Sequence, residues 1–113
     1  MRPNNTKGKA WDTAVFKAFK AVEEAVLTAG GYSDSDYGVV LMRQAFNPTC
    51  GPLADMSQQS AERDALSALF AGAIGSYKNP HSHRTVKISE PLEAKAQVLQ
   101  ASHLLRIVDS RRR

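Results

Sequence analysis

A chain of 113 residues has room for one domain and one modest core, which buries about two-thirds of the surface its unfolded form exposes. The net charge of +4 sits at the ends. Arg2, Lys7, Lys9 and Arg111 to Arg113 hold six of the fifteen basic residues, leaving nine against all eleven acidic ones between Ala10 and Ser110. Composition alone therefore does not make a nucleic-acid binder, the lone Cys50 excludes an internal disulfide, and no apolar run reaches the roughly 20 residues of a membrane span.

With no apolar leader segment near Met1, a cytoplasmic protein without membrane contact is expected. The basic ends can touch phosphates or simply be solvated.

Asp12 is the expected N-cap of a first helix running to about Ala29. Val15, Phe19, Val22 and Val26 recur at four, three and four, which lines one face. Lys17, Lys20, Glu23 and Glu24 are expected on the wet side. Gly30-Gly31 stops the helix, and Tyr32 to Asp36 is turn chemistry. A short helix is expected over Val39–Phe46, followed by a loop containing Pro48 and Pro52.

A third helix is expected from near Ser60, with Leu66, Leu69, Phe70, Ala73, Ile74 and Tyr77 as its apolar set. Gly72 and Gly75 each cost about 1 kcal/mol against Ala there, and close approach of another backbone is the expected compensation. Pro80 is expected to end this helix at about Lys78, leaving residues 81–88 as a loop or a short extended piece containing Val86 and Ile88. Pro91 at a first helical position opens the last helix, expected to reach Asp109. Its apolar residues form two neighbouring stripes, Leu92, Ala96 and Leu99 beside Val98, Ala101, Leu105 and Val108. No pair of strands is convincing, so an all-α bundle of about four helices is expected.

Lys78-Asn79-Pro80-His81-Ser82-His83-Arg84 gathers cations, an amide and imidazoles where that helix is expected to stop. An imidazole titrates near neutrality and can move a proton, while a cation can hold a phosphate. RNA cleavage by its own 2′-hydroxyl needs those two services. The same residue types also decorate ordinary helix C-termini for capping and dipole reasons, and both readings stay open from the residues alone. With only His103 left and no supporting Cys, His81 and His83 are not read as metal ligands, and neither metal nor cofactor is expected.

Three blocks, Ala14–Glu24, Leu41–Phe46 and Leu69–His83, together with Ala101–Asp109, resemble the Ymh-type family of uncharacterised prokaryotic proteins. That family resembles HEPN domains, helical bundles that commonly dimerise and whose active members cleave RNA without metal in toxin–antitoxin, abortive-infection or other phage-defence settings. The resemblance implies a metal-independent endoribonuclease with RNA as substrate, a homodimer with a composite cleft, and an antitoxin or effector protein as a further partner.

Residue by residue, Lys78 stands for the motif's Arg, Asn79 for the polar residue after it, and His83 for the catalytic His. His81 and Arg84 are then auxiliary RNA contacts. Lys cannot clamp a phosphate bidentately as Arg does. Thr85 stands where some motifs carry a Tyr. The alternative is a non-catalytic HEPN-like module for nucleotide or nucleic-acid binding, or for dimerisation. The expected organisation is a flexible basic segment at 1–10, a HEPN-like domain at 11–109 and a basic tail at 110–113.

Overall fold

The computed structural model describes the backbone of residues 3–112 and the side chains of residues 10–81 and 84–112. Helix α1 spans Pro3–Gly30, so Asp12 lies in its interior and is not its cap. Val15, Phe19, Val22 and Val26 are fully buried, as their spacing predicts. Gly31 ends the helix in the left-handed region (φ 74°), where a side chain would be strained. The Tyr32 N–H then closes the turn on the Leu27 carbonyl at 3.0 Å.

Helix α2 spans Gly38–Ala45, within a residue of expectation, and buries Leu41, Met42 and Ala45. In the loop after it, Asn47 Oδ1 accepts the N–H groups of Thr49 (2.9 Å) and Cys50 (3.2 Å), an Asx turn that replaces helical bonding around the prolines. Phe46 stacks on Phe70 of α3 (Ser60–Ala73) with ring centroids 4.1 Å apart, joining the second and third elements.

Pro80 does not end the third helix. After α3 the backbone widens into a π turn at Ile74–Lys78 and continues as α4, Asn79–His83, with right-handed helical dihedrals at each junction. The Asn79 N–H bonds the Ile74 carbonyl five residues back. That extra residue in the turn relieves the clash a proline ring makes with the carbonyl four residues before it. Pro80 then occupies the start of α4, where its missing N–H costs nothing. His81 and His83 consequently stand on a helix, and the non-helical stretch begins at Arg84.

From Arg84 to Glu90 the chain runs back along α1, pinned where Asp12 Oδ1 accepts the Ile88 N–H at 2.7 Å. Helix α5, Pro91–Arg111, lies along α1 and buries Ala94, Ala101, Leu104 and Val108. Its outer stripe stays open, with Leu92 76% and Leu99 70% exposed. The result is an all-helical bundle of four rods (α1, α2, α3–π–α4 and α5), with no strand among the described residues.

Candidate functional site at the seam of α1 and α4

Asp12, Phe16, Lys20 and Glu23 recur at four, four and three along α1 and so share one face. The π turn runs against that face, and Tyr77 stacks on the buried Phe19 ring at 5.3 Å to fix the register. Three contacts follow along the seam. His81 lies against Phe16, ring centroids 6.2 Å apart and tilted by 51°. Lys78 meets Glu23. Asp12 faces the segment that leaves α4.

The helical pattern predicts Glu23 on the wet face, yet it is only 4% exposed. Its Oε1 lies 3.4 Å from both Lys20 Nζ and Lys78 Nζ, and its Oε2 accepts the Gly38 N–H at 2.7 Å. Burying a lone carboxylate is prohibitive, and three donors from three elements make it tolerable. Helical periodicity places Glu23 at the edge of the apolar stripe. The one sequence signal that could have found it is its spacing of four from Phe19, itself in the core.

Lys78 is correspondingly not a free cation on a last helical turn. Its side chain is 13% exposed and its ammonium is directed at Glu23. Asn79, half-buried, begins α4. His83 is the last residue of α4, and its side chain lies outside the described residues.

His81 and Arg84 are brought together. They line one open cleft of about 350 Å3 with Asp12, Thr13, Phe16 and Thr85. Lys78 is not among its walls. Burial pushes the His81 imidazole below its ordinary value; the Asp12 carboxylate opposes that shift and the Arg84 guanidinium adds to it. The cleft therefore offers an imidazole inclined to be neutral near pH 7 beside a guanidinium on an exposed residue, a pairing suited to accepting a proton next to an anion.

Among the described residues no three His, Cys, Asp or Glu side chains gather as metal ligands, and no helix is long and apolar enough to cross a membrane. Within the chain Gly72 and Gly75 do not share a close-packed neighbour. A Cβ on Gly72 would meet open space, whereas one on Gly75 would stand 3.3 Å from Val39 Cγ2.

A family model described as "Protein of unknown function (Hypoth_ymh)" matches residues 2–108, and the chain belongs to that family. No curated protein and no solved structure matches the chain.

Proposed function

We propose that this member of the Hypoth_ymh family is a metal-independent endoribonuclease of the HEPN type, acting as a homodimer on RNA. The observation that carries the reading is the pairing of His81 with Arg84 in one cleft at the end of α4. A neutral His81 takes the proton of the 2′-hydroxyl as that oxygen attacks the adjacent phosphorus. Arg84 offsets the charge that builds on the phosphorane oxygens. The P–O5′ bond breaks, and the leaving oxygen takes a proton from a protonated imidazole, the role assigned to His83. Products are a 2′,3′-cyclic phosphate and a 5′-hydroxyl, so protons and electron pairs balance without a co-reactant.

Lys78 and Asn79 take different parts in this scheme from those implied by motif position. Lys78, engaged by Glu23, fixes the pitch of the π turn and hence where α4 points. Asn79 carries the backbone bond that closes that turn. Both are positioning residues. The open Leu92 and Leu99 stripe of α5 supplies an apolar face for a second copy. A role in phage defence or a toxin–antitoxin pair, with an antitoxin or effector as partner, belongs to the same proposal.

The test is incubation of the purified chain with mixed structured and single-stranded RNAs in EDTA, beside His81→Ala and His83→Ala. Cleavage by the wild type alone, with cyclic phosphate ends, is expected. Cleavage at the wild-type rate by both variants would overturn the proposal. One observation favours a second reading, a non-catalytic binding or dimerisation module: the charge of Lys78 is neutralised by Glu23 rather than offered to a phosphate. That reading expects RNA binding with no cleavage by any of the three proteins.

A further inference from the structure

We infer that the cleft between α1 and the segment after α4 is a nucleobase subsite that takes guanine, with Asp12 reading its Watson–Crick edge. Placing that base next to a scissile phosphate rests on the ribonuclease reading; the recognition of the base itself does not.

A carboxylate is out of place in a cleft built only for phosphate, because like charges repel, yet Asp12 shares these walls with His81 and Arg84. A group presenting N–H donors resolves the conflict. An ionised carboxylate has about four acceptor positions on its two oxygens. The Ile88 N–H uses one of them, at 2.7 Å on Oδ1, and so ties that oxygen to the returning segment.

Guanine alone among the four bases presents two adjacent donors, N1–H and the 2-amino group, to match the two oxygens of a carboxylate. Adenine and cytosine set an acceptor nitrogen beside their amino group. Uracil flanks its N–H with two carbonyls. Each of those arrangements turns lone pairs toward Asp12.

The remaining walls suit the rest of a nucleotide. Phe16, half-buried and braced by the tilted His81 ring at 6.2 Å, offers a fixed apolar face for one stacked base. Arg84, where the chain leaves α4 in extended form, is the cation for the phosphate. The volume of about 350 Å3 lies at the low end of the range for small-ligand sites, which suits one nucleotide and not a duplex.

The test is calorimetric titration of the full chain with the 3′-monophosphates of guanosine, inosine, adenosine and uridine. Guanosine is expected to bind tightest. Inosine, which lacks only the 2-amino group, is expected to bind about tenfold more weakly, the effect of losing one hydrogen bond to a charged group. Asp12→Asn keeps an acceptor for the Ile88 N–H and is expected to erase the difference between guanosine and inosine.

Equal affinity of the wild type for guanosine and inosine, or no saturable binding of any of the four, overturns the inference without recourse to a variant. RNA cleavage with no base preference would leave the ribonuclease reading standing and overturn this one. Guanosine-selective binding with no cleavage of RNA would do the reverse.

Discussion

The ammonium of Lys78 stands 3.4 Å from Glu23 Oε1, in a pocket where the carboxylate is almost wholly enclosed and the lysine nearly so. A buried ion pair adds little stability over an apolar pair of the same shape, but removing one partner strands the other. Through Glu23 the pair also reaches Gly38, whose backbone is in the left-handed region (φ 68°) and whose N–H points at Oε2. The seam that positions α4 and the entry to α2 thus depend on one carboxylate.

Glu23→Ala is expected to lower stability by about 3–5 kcal/mol, because Lys78 and the Gly38 N–H both lose their partner. Lys78→Met should cost less, since Glu23 keeps Lys20 and Gly38. Urea unfolding of Glu23→Gln, Lys78→Met and the double variant should give a coupling of order 1–3 kcal/mol. Strictly additive effects would show that the contact is not energetically linked.

His81 should titrate below its ordinary value of 6.5, as burial disfavours its charged form. Arg84→Ala removes a like charge and should raise the midpoint, while Asp12→Asn removes an opposing one and should lower it. Proton NMR of the imidazole C–H signals across pH 4 to 8 reads all three, and a midpoint above 6.5 in the wild type would contradict the burial described. The linkage has a definite sign. Because the folded value is depressed, the stabilisation is complete above about pH 6.5 and is lost as pH falls through that value toward the folded one. His81→Gln should flatten the slope.

Gly72→Ala should stabilise the protein by about 0.5–1 kcal/mol, since the position is helical, exposed and faces open space. Gly75→Ala should gain nothing or lose slightly, because its Cβ would press on Val39 Cγ2 at 3.3 Å. Thermal unfolding should separate the two variants by a few degrees, and equal midpoints would refute the distinction.

Leu92→Glu with Leu99→Glu should leave helix content unchanged, as both side chains are outside the core. If the α5 stripe joins two copies, sedimentation should show the mass fall from dimer to monomer in this variant. An unchanged mass would place any dimer contact elsewhere.

Much of the fold was legible because local rules act within one element. Val15, Phe19, Val22 and Val26 declare a face by spacing alone, and all four are buried. Gly31 and Pro91 sit at helix ends for reasons of φ and missing donors that no distant contact can change. The Lys78–Arg84 segment was visible as the chemically richest stretch, but not its conformation. Whether Pro80 breaks a helix or is absorbed by a π turn depends on what packs on both sides of it, here Phe19 on Tyr77 and Phe16 on His81.

Apolar spacing along the chain suffices for an all-helical reading with an apolar face on each rod, since periodicity is local. Which polar groups meet follows from packing between elements. Glu23 joined Lys78 across 55 residues of chain, and Asp12 joined Ile88 across 76, because the packing of α1 against the π turn and the returning segment brings them together. Electrostatics at a distance of a few ångströms outweighs the preference of a lone carboxylate for water, and no spacing along a single helix encodes that distance.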